Sequence, residues 1–304
     1  MGHINQGNNN RIVRKPPWLR RSLPKGGAFE RVRGLVQAGG LHTVCQEAQC
    51  PNMWECFSRH TATFLIMGPR CTRRCRFCAV DHGPSGPPDP EEPARVAEMV
   101  KRMGLHYVVI TSVTRDDLAD GGAGLFAATI EAIRGMVSDA LVEVLIPDLQ
   151  GSIDALRTVL DARPAVLNHN IETVPRLYPM ARPGAGYHRS LEIFRQAREY
   201  APSTPLKSGL MLGLGESGEE VKEVLGDLRA AGCSILTLGQ YLQPTRDHLP
   251  VEHFIPPEEF DRWKEIALAM GFSDAASGPF VRSSYRAREL YRGAEGEAVQ
   301  PIAH

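Results

Sequence analysis

From residue 61 onward, two hydrophobic patterns take turns along the chain. Short apolar runs stand at 61–67 (TATFLIM), 106–111 (HYVVIT), 141–146 (LVEVLI), 166–170 (VLNHN), 206–212 (LKSGLML) and 235–240 (ILTLGQ). Their length and content predict buried strands. Between them lie amphipathic stretches. In the first, Val96, Met99, Val100 and Met103 recur at i, i+3, i+4 and i+7, the spacing of one helix face. Further helices are predicted near 124–137, 152–162, 188–200, 218–231 and 257–270, with Gly104, Gly151 and Gly232 where helices should stop or start.

Six strand–helix units imply an α/β fold with a parallel sheet and right-handed crossovers. Such a sheet either closes partly, as a (β/α)6 barrel, or stays open and doubly wound, and the pattern alone does not choose. Both arrangements put functional groups at the carboxyl ends of the strands. An N-terminal extension (1–60) and a C-terminal tail (272–304) flank this core (61–271), and the proline-rich 83–93 segment (GPSGPPDPEEP) reads as a stiff loop.

Composition adds exclusions. No run of about 18 apolar residues is present, so a membrane span is not expected. The N-terminal segment lacks the apolar stretch of a secretory signal, which points to the cytoplasm. Formal net charge is zero, yet the first 40 residues hold eight Lys or Arg against one acid, Glu30. This basic arm, Arg11–Arg33, is either a solvated tail or a surface for an acidic partner. No nucleic-acid-binding motif accompanies it.

Chemistry concentrates in the cysteines. Six of the seven (Cys45, Cys50, Cys56, Cys71, Cys75 and Cys78) lie within 34 consecutive residues. In a chain with no sign of secretion, that clustering argues for metal rather than disulfides. Cys233 stands alone and reads as a small buried hydrophobe. Cys71, Cys75 and Cys78 form a CxxxCxxC triplet (CTRRCRFC) just after the first predicted strand. Three thiolates on one tight loop can hold three irons of a [4Fe–4S] cluster, leaving the fourth iron free for an amino acid to chelate. A zinc knot completed by His60 or His82 is the competing reading, although zinc usually takes CxxC pairs. Cys45, Cys50 and Cys56 have CxxxxCxxxxxC spacing and also supply only three thiolates. They fit either a second cluster or a zinc site completed by His42 or His60.

The CxxxCxxC triplet, with aromatic Phe77 before its last cysteine, resembles the signature of the radical S-adenosylmethionine superfamily. The two triplets in this order, together with the tail motif at 282–287 (RSSYRA), resemble the lipoyl synthase family more closely. Stretches at 112–122 (SVTRDDLADGG), 168–173 (NHNIET) and 207–216 (KSGLMLGLGE) agree with it. The resemblance implies a partial (β/α)6 barrel, two [4Fe–4S] clusters and S-adenosylmethionine as cofactors, and insertion of two sulfur atoms at C6 and C8 of an octanoyl chain. The octanoyl group would be borne by a carrier-domain lysine of a 2-oxoacid dehydrogenase subunit or of the glycine-cleavage H protein.

It further implies that Cys71, Cys75 and Cys78 hold the radical-generating cluster. Cys45, Cys50 and Cys56 would hold an auxiliary, sulfur-giving cluster, with Ser284 as its fourth ligand and Ser283 as the fallback. Taken without the triplets, the two serines would read as a helix N-cap. Phe77, Ser112, Asn168, Glu172, Lys207 and Gln240 are the expected S-adenosylmethionine contacts, Glu172 at ribose hydroxyls and Lys207 at the carboxylate. Each is also open to a structural reading at a strand end. Asp116 and Asp117 either join that pocket or cap a turn. An electron donor is the other implied partner. The alternatives are another sulfur-inserting radical enzyme of biotin-synthase or methylthiotransferase type, a non-enzymatic iron–sulfur electron carrier, and a structural zinc module.

Overall fold

The computed structural model describes residues 15–20, 27–58 and 62–294. Arg11, Arg14, Arg21 and Lys25 of the basic arm, and His60, lie outside the described residues.

Eight strands form one sheet: β1 (His42–Thr43), β2 (Thr63–Ile66), β3 (Tyr107–Ser112), β4 (Leu141–Leu145), β5 (Val166–Asn168), β6 (Leu206–Leu212), β7 (Ile235–Gln240) and β8 (Asp274–Gly278). Their spatial order is their chain order, and all neighbours are parallel except β1, which runs antiparallel to β2. A doubly wound sheet would require that order to reverse at one point. With no reversal, right-handed crossovers put every helix on the same face, and the sheet rolls around the other as in a barrel. The six strands read from the sequence are β2–β7. The structure adds β8, whose DAASG residues carry no apolar run, and the two-residue β1.

The crossover helices form where their apolar stripes predict. Helix Glu92–Met103 buries Val96, Met99 and Val100, carries Lys101 and Arg102 in its last turn, and ends at Gly104 with φ of 64°. Helix Gly218–Ala230 starts from a capping box: the Ser217 hydroxyl accepts from the Glu220 N–H, and the Glu220 carboxylate accepts from the Ser217 N–H. Helices Ala123–Met136, Ile153–Asp161, Tyr187–Tyr200 and Pro257–Ala269 complete the ring. Cys233 is fully buried, its thiol near the Leu206 carbonyl at 3.4 Å, as a small core residue.

The segment before the barrel joins the same hydrophobic core. Helix Ala28–Ala38 contributes Phe29, Val32 and Val36, and Phe29 stacks on Trp54 with ring centroids 3.9 Å apart. Among the described residues no helix is long and apolar enough to cross a membrane.

Candidate active site

The CTRRCRFC loop leaves β2 and folds back on itself. The Cys71 N–H donates to the Asp81 carbonyl at 2.9 Å, and the Cys71 carbonyl accepts from the Gly83 N–H at 3.0 Å. Loops from the carboxyl ends of other strands fix it in place. After β3, the Thr114 carbonyl accepts from the Thr72 hydroxyl at 2.9 Å. The Arg73 guanidinium bridges Asp116, after β3, at 2.7 Å and Asp148, after β4, at 2.6 Å. After β7, the Leu249 N–H donates to the Arg76 carbonyl and the His248 ring meets the Cys78 carbonyl, both at 3.0 Å.

Backbone N–H groups of Arg73 and Thr114 lie 3.4 and 3.3 Å from the Cys71 sulfur. Burial pushes the Cys78 thiol up to about 12 and raises Cys75, where the nearby Arg182 guanidinium is the strongest opposing influence. Such thiols stay protonated at neutral pH until a metal centre displaces the protons.

The second triplet sits on two short helices. Thr43 caps the first, Val44–Glu47, its hydroxyl accepting from the Gln46 N–H at 3.3 Å. Cys45 lies on that helix, Cys50 in the turn after it, and Cys56 on helix Met53–Ser58. Burial, then the proximity of Cys50, pushes the Cys45 thiol up to about 12.

The C-terminal RSSYRA segment returns across this region. The Asn52 amide donates to the Phe280 carbonyl at 2.6 Å, and the Tyr285 hydroxyl donates to Glu55 at 3.1 Å. Glycine is required beneath it, because a Cβ on Gly239, at the end of β7, would run into the Val281 carbonyl. The Asn170 amide donates to the Ser283 hydroxyl at 2.8 Å. The tail helix begins at Ala287 with Arg286 before it, so neither serine is its cap.

One cavity of about 500 Å³ is lined by all three cysteines of the second triplet and, from the first, by Cys78. Ser283, Ser284, Phe77 and Glu172 also contribute to its wall. Glu172 has φ of 68°, uncommon for a side-chain-bearing residue. Its carboxylate accepts from the Asn170 amide at 3.0 Å, and burial raises its pKa. The other amide atom of Asn170, Oδ1, is buried without a partner in the cavity wall. Among the described residues no three His, Cys, Asp or Glu side chains converge as they would around a single ion. An iron–sulfur cube sets its thiolates on separate irons instead, and the donor set, three thiols per group beside a largely apolar cavity, fits clusters of that kind.

Other expected cofactor contacts lie elsewhere. The Lys207 ammonium, expected at the cofactor carboxylate, is buried and paired with Glu143 at 2.8 Å. A lone carboxylate inside the barrel would cost several kcal/mol, and Lys207 neutralises it. Asn168 and Tyr107 donate to the same carboxylate at 3.1 and 2.6 Å. Gln240 is buried, with its amide spent on the Leu212, Tyr241 and His253 carbonyls and its oxygen accepting from Ile255. The Ser112 hydroxyl is buried and without a partner. None of these four lines the cavity. Asp116 and Asp117 serve ion pairs, with Arg73 and Arg115.

Three groups escaped the sequence reading. Asp148 is fully buried between Arg73 and Arg189. Arg182 donates to the Asn170 carbonyl at 3.0 Å and keeps a buried, unpartnered Nε. Arg73 stands inside the CTRRC motif, but nothing in that motif points to a carboxylate 75 positions on.

A parallel barrel with a CxxxCxxC loop at the carboxyl end of its first parallel strand defines a radical S-adenosylmethionine enzyme. Residues 65–228 match the model of the Radical SAM superfamily. Two solved structures share the fold. HydG, a maturase of the [FeFe]-hydrogenase, has TM-score 0.55 and 15% identity, over 76% of this chain and 54% of that one. Streptococcus suis SuiB bound to S-adenosylmethionine has TM-score 0.52 and 11% identity, over 71% and 51%. Residues 2–50 match the N-terminal domain of lipoyl synthase of the Radical SAM family. Lipoyl synthase of Desulfotalea psychrophila is 61% identical over 97% of this chain and 99% of its own length. That of Rubrobacter xylanophilus is 54% identical over 94% and 89%. The chain belongs to the lipoyl synthase family.

Proposed function

We propose that the chain inserts two sulfur atoms, at C6 and C8, into the octanoyl chain of an octanoylated lipoyl carrier domain. The carrier is a 2-oxoacid dehydrogenase subunit or the glycine-cleavage H protein. The observation that carries this reading is the shared cavity, with Cys78 and Phe77 contributing to its wall alongside Cys45, Cys50, Cys56 and Ser284. When bound, a [4Fe–4S] cluster with one free iron site cleaves S-adenosylmethionine reductively to a hydrogen-abstracting radical, and a second cluster gives up sulfide.

The chain's own residues do the placing. The 61–271 unit carries Cys71, Cys75 and Cys78 as cluster ligands, and β8 of the tail completes its sheet. The 1–60 extension supplies Cys45, Cys50 and Cys56, and the 272–304 tail supplies Ser284. Ser283 is engaged by Asn170, which leaves the Ser284 hydroxyl as the better-placed ligand. Glu172 and Phe77 line the cavity where S-adenosylmethionine would lie, Glu172 at ribose hydroxyls. Leu210, Met211 and Leu242 give the cavity apolar surface for an aliphatic chain and exclude water from a radical. The basic arm around Arg20 is a second surface for the carrier domain.

The test is anaerobic reconstitution with iron and sulfide, followed by dithionite, S-adenosylmethionine and an octanoyl-lysine peptide. The expected result is about eight irons per chain, release of 5′-deoxyadenosine, and a peptide mass gain of two sulfurs replacing two hydrogens. Replacing Cys45, Cys50 and Cys56 together with Ala should keep 5′-deoxyadenosine release and abolish sulfur gain. Deoxyadenosine without sulfur gain in the unmodified chain would overturn the reading.

A further inference from the structure

We propose that Asn52 selects the substrate by accepting a hydrogen bond from its amide N–H, so that the chain takes octanoyl amides in preference to octanoyl esters. This rests on the octanoyl-lysine substrate proposed above, and adds the residue that recognises the link between the fatty chain and the lysine.

Asn52 lies in the turn between Cys50 and Cys56, just before helix Met53–Ser58. It is 1% exposed and belongs to the cavity wall. An asparagine before a helix ordinarily caps it through the side-chain oxygen. Here the side chain turns to the tail instead. Its Nδ2 donates to the Phe280 carbonyl at 2.6 Å, which fixes which amide atom is nitrogen and which oxygen. The oxygen, Oδ1, is buried and has no partner among the described residues. A buried acceptor left unpaired is costly, so its place calls for a donor brought by a ligand. A cluster on Cys45, Cys50 and Cys56 brings sulfide and thiolate, which accept and do not donate. The donor therefore comes from the substrate. A second orphan oxygen, Asn170 Oδ1, stands on the barrel side, where a Cβ on Gly209 of β6 would come within 2.7 Å of it.

The cavity has a direction. Among the described residues of its wall, the exposed ones are Lys15 and Gln49, both from the N-terminal extension, and they mark its mouth. Apolar Leu210, Met211 and Leu242 belong to the barrel side. An octanoyl chain entering by that mouth lays its methylenes against the barrel and leaves its polar link beside the extension, where Asn52 follows Gln49 by one turn. The amide N–H is the only donor between the carrier backbone and the terminal methyl, and it meets a single acceptor. An ester in its place would set an oxygen lone pair against Oδ1 and leave that atom unpaired, which a site built to hydrogen-bond its substrate rejects. The reacting carbons lie several bonds from the link, so exchanging N–H for O leaves their C–H bonds as they were.

The test is anaerobic calorimetric binding of two peptides to the reconstituted full chain. One carries octanoyl-lysine, the other the octanoyl ester of 6-hydroxynorleucine at the same position. The unmodified chain should bind the amide at least ~10-fold more tightly than the ester. Asn52→Ala should weaken amide binding and bring the two affinities together, whereas Asn52→Asp, which keeps an acceptor oxygen, should retain the preference. A purely structural role would weaken both peptides alike and leave their ratio unchanged in Asn52→Ala, and that result would overturn the proposal. Equal affinity of the unmodified chain for the two peptides would overturn it too, and that measurement needs no variant. If the unmodified chain adds no sulfur to the octanoyl-lysine peptide, the reading of the reaction fails by that assay, separately from the affinity ratio.

Discussion

Tyr285 and Glu55, 230 positions apart, are joined by a hydrogen bond of 3.1 Å from the phenol hydroxyl to the carboxylate. With the Asn52–Phe280 contact, it draws the tail serines onto the cysteine-bearing helices. A partly buried bond of this kind contributes about 1 kcal/mol. Tyr285→Phe should therefore lower thermal stability only slightly. Its larger effect should be slower or incomplete filling of the auxiliary site, read as iron per chain against time during reconstitution.

The two tail serines are distinguishable. Ser284→Ala should bring iron below the full complement and reduce sulfur insertion, with 5′-deoxyadenosine release retained. Ser283→Ala should lose only its bond from Asn170 and keep its iron. Equal iron loss in both variants would show that Ser284 is not the separate ligand.

At Gly239, the side chain is excluded by the Val281 carbonyl. Gly239→Ala should push the tail off the sheet, costing on the order of 1–3 kcal/mol as an overpacking change. Sulfur insertion should fall more than the cleavage of S-adenosylmethionine, because the tail serves the auxiliary side. Comparing the two products in one assay checks this.

Asp148 gives a pH dependence with a definite sign. Burial alone would raise its pKa, but the hydrogen bonds from Arg73 and the charges of Arg73 and Arg189 hold it at about 2, below the ordinary 3.8. Its contribution, about 2–3 kcal/mol, is fully present above pH 3.8 and lost as pH falls towards 2. Asp148→Asn should flatten the acid limb of the stability curve. It should also lower stability at pH 7 by about 3–5 kcal/mol, because two arginines lose their counter-charge. Denaturant titrations across that pH range measure both effects.

Lys207→Met should leave Glu143 buried without a cation and destabilise the barrel by about 3–5 kcal/mol. If the ammonium instead held the cofactor carboxylate, the main loss would be in S-adenosylmethionine affinity. Calorimetric binding beside thermal unfolding separates the two.

Much of this architecture is legible in the chain because its cause is local. The stripe Val96, Met99, Val100 and Met103 makes a helix from neighbours a few residues apart, and Gly104 ends it with a left-handed φ. The CxxxCxxC spacing likewise brings three thiols onto one loop without help from afar. β8 escaped because DAASG is held by pairing with β7 rather than by its own apolar content.

The sequence by itself determined the βα succession and the two cysteine groups. Tertiary structure decided that the second group and Cys78 of the first open on one cavity, that Ser283 and Ser284 both line it with Ser283 bonded by Asn170, and that Lys207 answers Glu143. It also gave Arg73 its partner in Asp148. Helical periodicity and motif spacing are set within a few residues. Pairings across 64, 75 or 113 positions exist only once strand register and loop closure bring their backbones together.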